Sequence, residues 1–183
     1  QRKTYPLNSL GVAGIIWLFM LQEKRGYMNA IVRAIGIDPL TYLSNSATAL
    51  FWVAFVFAWI NVGYYMILFL AAVKDIPQSL FDAAHIDGAN PLQEFWHITL
   101  PQIREVSTFV LIVTTVLSFQ VFDVVKVMTN GGPADATEVS VFYIYKQAFE
   151  FGQLGYSSAL AFVLFVLLFG VSLLQLRIME RRR

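Results

Sequence analysis

The sequence predicts an all-α fold, a polytopic bundle of transmembrane helices, and three observations support this class. Of the 183 residues, 57% are hydrophobic and only 14% are charged, whereas soluble domains carry charge on about a quarter of their residues. The mean hydropathy is +0.62. Apolar runs recur near the length of about 20 residues that a helix needs to cross a bilayer. The solvent of this chain is therefore mostly lipid.

Four apolar runs set the expected order of the spans. The first covers residues 7–21 and is only partial, because its apolar core, LGVAGIIWLFML, is well below spanning length. Complete spans are expected over residues 47–73, 106–128 and 157–176. The chain begins at Gln1 with neither an initiator Met nor a signal-peptide pattern. We therefore expect residues 1–183 to be the C-terminal part of a longer protein, folded as a single transmembrane domain.

The distribution of basic residues predicts the orientation of the spans. Arg177 and the three arginines at 181–183 follow the last span, and by the positive-inside rule this end lies in the cytoplasm. Counting spans backwards then places residues 129–155, where Lys146 is the only basic residue, outside the cell. Residues 74–105 return to the cytoplasm, and residues 22–46 fall outside the cell again.

The cytoplasmic loop 74–105 is predicted to form two short helices joined by a glycine hinge. Residues 78–87 form about three turns that end at Gly88, since glycine permits the left-handed turn that stops a helix. Asn90 starts a second helix, and Gln93 completes a capping-box spacing with it. Pro101 lacks an amide hydrogen, so it stops or kinks that helix before the next span.

One face of the first helix has the shape of a docking surface. Leu80, Ala83, Ala84 and Asp87 share a face by their spacing, and the two alanines leave it shallow. Such a face fits a groove on another protein. The alternative is an amphipathic loop that lies on the lipid headgroups.

The segment DAAHIDGANPLQEFWHITLP, residues 82–101, resembles the EAA signature of the permease subunits of binding-protein-dependent ABC importers. The spacing is Asp-Ala-Ala, three residues, Gly, nine residues, Ile, one residue, Leu-Pro. The matching residues are Asp82, Ala83, Ala84, Gly88, Ile98, Leu100 and Pro101. Asp82 stands in place of the usual glutamate and keeps its charge on a shorter side chain. Residues 121–149 and 155–165 resemble the carbohydrate-importing branch, which moves maltose, related sugars or glycerol phosphate.

This resemblance implies an assembly in a bacterial or archaeal inner membrane. The chain would be the C-terminal part of a six-helix permease core and would pair with a second permease subunit, two cytoplasmic ATP-binding subunits and an external solute-binding protein. The seven matching residues would couple the spans to the ATPase. No nucleic-acid partner is expected.

The sequence assigns ATP hydrolysis to a different polypeptide. The chain has no Gly-rich phosphate loop of the GxxxxGK[ST] kind. We therefore expect no enzymatic activity, no catalytic residue and no bound cofactor in this chain, with ATP and Mg on the partner subunits.

Polar side chains on the spans define a candidate solute pathway, because isolated polar groups are costly when they face lipid. The candidates are Phe57, Asn61, Tyr64, Thr114, Ser118, Gln120 and Asp123. An aromatic ring beside an amide suits the apolar face and hydroxyl edge of a sugar. Two alternatives stay open: polar residues that bond the preceding turn or a neighbouring helix, and an ion pair between Asp123 and Lys126.

The outer loop is more than a linker. Residues 130–133 form a turn, and Asp135 and Glu138 have capping-box spacing ahead of the aromatic-rich run 139–149. This run is either an interfacial helix against the bilayer or a docking surface for the external binding protein.

Two other classes of protein are open. Asp82 with His85, and Glu94 with His97, have the carboxylate-x-x-His spacing of a di-iron metalloenzyme. Such a site needs two more carboxylates from two other helices, and the spans offer only Asp123. The chain also has no cysteine for a thiolate metal site. An ion-driven secondary transporter would bury ionisable groups at mid-membrane, where these spans carry hardly a charge; ATP dependence in vesicles discriminates the two kinds of transporter.

Overall fold

The computed structural model describes residues 9–180. The arginines at 181–183 and the first residues of the run 7–21 lie outside this range. The described part is helical and contains no strand. The helices are α1 Ser9–Met20, α2 Tyr27–Ala34, α3 Ser46–Lys74, α4 Gln78–Ile86, α5 Pro91–Glu94, α6 Leu100–Gln102, α7 Arg104–Phe119, α8 Asp123–Met128, α9 Ser140–Tyr145 and α10 Leu154–Glu180. Single π-helical turns, Phe95–Thr99 and Lys146–Glu150, follow α5 and α9.

Two helices within residues 9–180, α3 and α10, are long and apolar enough to cross a membrane. Only 11% of the apolar part of α3 and 6% of that of α10 are buried, so most of their apolar surface is available to lipid or to other helices. A third span results if Pro91–Gln102 and Arg104–Phe119 count as one helix bent by 67°. The predicted spans 47–73 and 157–176 lie within α3 and α10.

The prediction of one continuous span over residues 106–128 is wrong. Helix α7 ends at Phe119, residues 120–122 are not helical, and α8 begins at Asp123. The side chains of Val124 and Val125 are buried, and a Cβ at Gly14 of α1 would lie 3.6 Å from Val127. Apolar residues after 122 therefore pack against α1 instead of extending the span through lipid.

The chain divides into two compact units. The first comprises residues 9–60 and 118–166 of the described range, and its core contains eight buried side chains: Leu21, Tyr42, Val53, Val56, Val124, Val125, Met128 and Phe142. Trp17 packs edge-on against Phe55 and Trp59, with ring centroids 5.3 and 5.5 Å apart. Aromatic packing of this kind adds about 0.5–1.5 kcal/mol per pair to the burial of apolar area.

The second unit comprises residues 61–117 and 167–180 of the described range. Two side-chain hydrogen bonds join α7 to α10 inside it. Arg104 Nη2 donates to the carbonyl oxygen of Met179 at 2.6 Å, and Gln175 Nε2 donates to Thr115 Oγ1 at 2.9 Å. Since the last carbonyls of a helix have no partner within the helix, the arginine satisfies one of them and ties the start of α7 to the end of α10.

Candidate functional site

The hinge segment, residues 77–102, forms the helix-turn-helix that the sequence predicts. Helix α4 ends with Asp87 as its C-cap, and Gly88 follows in the left-handed region at φ +75°. The amide of Gly88 donates to the His85 carbonyl at 3.1 Å, and the amide of Ala89 donates to the Ala84 carbonyl at 2.9 Å. These bonds close the end of α4, and a glycine at position 88 adopts the required backbone without strain.

The second helix begins at the predicted capping box. The Asn90 side chain accepts from the amide of Gln93 at 2.9 Å, and the Gln93 side chain accepts from the amide of Asn90 at 2.8 Å. Pro91 occupies the first turn, where its missing N–H costs nothing. Both ends of the hinge are thus fixed by local sequence.

Pro101 widens and bends the helix without ending it immediately. The ring removes the hydrogen bond that residue 101 would donate to the carbonyl four residues earlier, and the preceding turn, Phe95–Thr99, is a π-turn. Such turns accommodate a disrupted helical ladder. The helix then continues to Gln102, and the 67° bend precedes Arg104. The hinge segment therefore enters α7 at an angle.

The predicted coupling residues lie on an accessible surface. Asp82, Ala83, Gly88, Leu100 and Pro101 are exposed, and Ala84 and Ile98 are half-buried. Gln78 Nε2, one turn earlier on α4, donates to Asp82 Oδ1 at 3.4 Å.

A groove of about 410 Å³ brings part of this set together. Ala84, Gly88 and Ile98 line it. Asp82, Ala83, Leu100 and Pro101 are not among its lining residues. Glu94, which is not in the predicted coupling set, also lines the groove.

His85 and Glu94 contact each other across the hinge. His85 Nε2 lies 2.9 Å from Glu94 Oε1, with the histidine side chain 62% exposed and the glutamate side chain 15% exposed. His97 instead directs Nδ1 to the carbonyl oxygen of Gln93 on its own helix, at 3.0 Å. Within residues 9–180 no group of three or more His, Cys, Asp or Glu is arranged to hold a metal ion.

The pathway candidates occupy different environments. The Tyr64 side chain is 58% exposed and packs edge-on to Tyr65 with centroids 5.4 Å apart. Thr114 Oγ1 donates to the Val110 carbonyl at 2.7 Å, as in the alternative in which a threonine bonds its own helix. The other candidates are the half-buried Phe57, Asn61 and Asp123 and the exposed Ser118 and Gln120.

Lys126 pairs with Glu150 and not with Asp123. The Lys126 Nζ lies 3.3 Å from Glu150 Oε1 and 5.0 Å from the ring centroid of Tyr145. The ring quadrupole attracts the ammonium group. Lys126 therefore contacts α9 and the π-turn that follows it, instead of forming the alternative ion pair with Asp123 within α8.

The capping box predicted at Asp135 and Glu138 does not form. Helix α9 begins at Ser140 with no side-chain cap, and Asp135 has a left-handed backbone at φ +57°. Both carboxylates pair with Lys146 instead. The hydrogen bond to Glu138 is the main reason that the pKa of Lys146 is raised above its ordinary value, so this outer-loop cluster holds a charged lysine.

Comparison with known proteins identifies what the chain resembles as a whole. A family model described as "Binding-protein-dependent transport system inner membrane component" matches residues 9–183. The "Probable ABC transporter permease protein YurN" of Bacillus subtilis (strain 168) is 37% identical over 171 residues, which are 92% of this chain and 59% of that protein. An "sn-glycerol-3-phosphate transport system permease protein UgpA" of Yersinia enterocolitica is 36% identical over 172 residues, 93% of this chain and 58% of that protein.

Solved structures share the fold. A chain of a bacterial ABC transporter for import of the acidic polysaccharide alginate matches with a TM-score of 0.86 at 22% identity, over 94% of this chain and 61% of that one. The same transporter in complex with an alginate pentasaccharide-bound periplasmic protein matches equally well, over 60% of the matching chain. The sequence therefore spans less than two thirds of the length of these relatives.

Proposed function

The chain belongs to the family of binding-protein-dependent transport system inner membrane components, and we propose that it acts as a permease subunit of an ATP-driven importer for a sugar or sugar derivative. It is a multi-pass membrane protein with an all-helical fold. The glycerol phosphate and alginate named for its relatives support a carbohydrate-type solute. The bacterial or archaeal inner membrane is the proposed location.

The proposed partners follow from the same relatives. A solved relative carries a periplasmic protein bound to a pentasaccharide, which supports delivery of the solute by an external binding protein. A second permease subunit would complete the pore. Since the sequence has no Gly-rich phosphate loop, two separate ATPase subunits would bind ATP and Mg.

The observation that carries the coupling proposal is the geometry of the hinge segment. Helix α4 presents Asp82 and the small side chains of Ala83 and Ala84, so the ATPase surface can approach its backbone closely. The turn at Gly88 is closed by hydrogen bonds. Motion of α4 would then pass through the bend before Arg104 into α7.

The second unit offers a route for this motion into the membrane. Arg104 donates to the carbonyl of Met179, and Gln175 donates to Thr115. Displacement of the hinge segment would therefore move the inner ends of α7 and α10 together, which is the kind of discrete rearrangement that a pump requires.

Cross-linking at α4 tests the ATPase contact. A photoactivatable cross-linker on Ala84→Cys is expected to capture the ATPase subunit in the assembled full-length transporter, with a yield that changes when ATP is added. Because residues 1–183 contain no cysteine, labelling within this part of the subunit is confined to the introduced site. The same reagent on Ser44→Cys, in the predicted outer region, is the control and should capture no ATPase. Absence of both an Ala84 product and a co-purifying ATPase would reject the proposal.

We propose that the seven candidate pathway residues line the solute route, and Tyr64 is the one best placed for a test. Its exposed phenol can bond a sugar hydroxyl, whereas the hydroxyl of Thr114 is already bonded to its own helix. Tyr64→Phe is expected to raise KM for uptake about two- to tenfold, the value of one hydrogen bond of about 0.5–1.5 kcal/mol. Tyr65→Phe is the matched control on the same helix. Equal effects of the two changes would contradict a specific role for Tyr64.

A further inference from the structure

The hinge segment turns at Gly88, and one side-chain contact, between His85 and Glu94, spans this turn. An added Cβ at Gly88 would meet nothing within 4 Å, so the turn is held by its two backbone hydrogen bonds to α4 and not by packing at this position. Within the described residues, the pair His85 and Glu94 is the only side-chain ion pair or hydrogen bond between α4 and the helix that starts at Pro91. Apart from the backbone hydrogen bonds of the turn, this pair is what restrains the angle between the two helices.

The burial of Glu94 makes this contact more than a surface ion pair. Its side chain is 15% exposed, and a charged group removed from water is destabilising unless it is paired. His85 Nε2, 2.9 Å from Glu94 Oε1, is a cationic partner for this carboxylate when the imidazole is protonated. His85 lies in the last turn of α4, so opening the hinge would leave the Glu94 carboxylate without this partner.

The pair also differs from the other contacts of the segment. The capping box of Asn90 and Gln93 fixes the start of the second helix alone, and His97 bonds a carbonyl of its own helix. Neither restrains α4. Within the described residues the His85 contact is the one side-chain ion pair that bridges the two helices.

We propose that His85 and Glu94 are positioning residues that fix the angle of the coupling hinge, so that a push on α4 is transmitted to α7 instead of being absorbed by rotation at Gly88. This inference rests on the proposed coupling function for its consequence, although the restraint itself is a property of this chain. The pair touches no substrate and acts through the orientation of α4.

The first test measures the hinge angle directly. Spin labels on Ser79→Cys and Leu92→Cys, both exposed positions on either side of the hinge, report the distance between the helices in the full-length permease within its assembled complex. His85→Ala and Glu94→Gln are each expected to broaden the distance distribution and to raise the open fraction by up to about fivefold. His97→Ala is the matched control and should leave the distribution unchanged. An unchanged distribution in His85→Ala would overturn the proposal.

The second test separates positioning from mere folding. The exchange His85→Glu with Glu94→His restores the pair in reverse, so it is expected to recover the narrow distribution and the amount of solute moved per ATP hydrolysed. The single variants should hydrolyse ATP but move less solute per ATP. If the ATPase is bound and both single variants move as much solute per ATP hydrolysed as the wild type, the inference is rejected. If the wild-type permease binds no ATPase, the coupling function fails, while the distance measurement still decides the restraint.

Discussion

Replacing Gly88 with proline is expected to abolish ATP-driven uptake while leaving membrane insertion intact. Gly88 has φ +75°, whereas the proline ring holds φ near −65°. Proline also removes the amide that donates to the His85 carbonyl. The end of α4 must then rebuild, and the shared orientation of α4 and the following helix is lost. Uptake and ATP hydrolysis measured in reconstituted vesicles check this result, together with the amount of permease in the membrane.

Gly36 is a closely matched control for this change. It has φ +80° and open space around it, and its amide donates to the Arg33 carbonyl at 3.0 Å, just as the Gly88 amide donates to His85. Gly36→Pro therefore disturbs a similar helix end in the region predicted to lie outside the cell. We expect it to retain most uptake. Loss of uptake in Gly36→Pro alone, or normal uptake in Gly88→Pro, would contradict a coupling role for the Gly88 turn.

The hinge segment was predictable because its determinants are local. Gly88 ends a helix through a backbone conformation that other residues adopt with strain, and Asn90 and Gln93 satisfy each other's amides within one turn. These effects depend on residue types a few positions apart. The helix, the turn and the capping box could therefore be derived from the sequence without knowledge of the rest of the chain.

The break between α7 and α8 was not predictable in this way. Val124 and Val125 are apolar and favour a continuous span on composition, but both are buried inside the protein. Hydropathy does not distinguish an apolar residue that faces lipid from one that packs against α1. The packing of α8 against α1 near Gly14 shows that the residues after 122 are of the second kind.

Charge pairs were missed for a related reason. The spacings of Asp135 with Glu138, and of Asp123 with Lys126, match local motifs. In the structure, however, Glu138 pairs with Lys146, and Lys126 pairs with Glu150. Their pairing depends on how the outer loop folds back. His85 and Glu94 likewise meet only because the Gly88 turn sets the direction of the second helix. Local spacing identifies residues able to form ion pairs, and the tertiary fold selects the partners.

Replacing Gly131 with alanine is expected to cause the largest loss of stability among substitutions in the outer loop. Gly131 has φ +89°, and an added Cβ would lie 2.7 Å from Cε1 of Phe142, a ring that is fully buried. The left-handed backbone costs about 1–2 kcal/mol for a residue with a Cβ. Displacing a packed ring costs a further 1–3 kcal/mol, approximately, as overpacking does elsewhere.

Gly152→Ala separates the cost of the left-handed backbone from the cost of displacing a packed side chain. Gly152 has φ +70°, and a Cβ there would meet nothing within 4 Å, so alanine should incur the strain alone. Unfolding of the purified full-length permease in mixed micelles is the measurement, with the Gly131 variant expected to lose clearly more stability than the Gly152 variant. The large difference is expected because Phe142 belongs to the same core as Val124 and Val125, and movement of its ring disturbs the residues that hold α8 against α1. Equal losses of stability in the two variants would show that the Phe142 ring moves aside without a loss of stability.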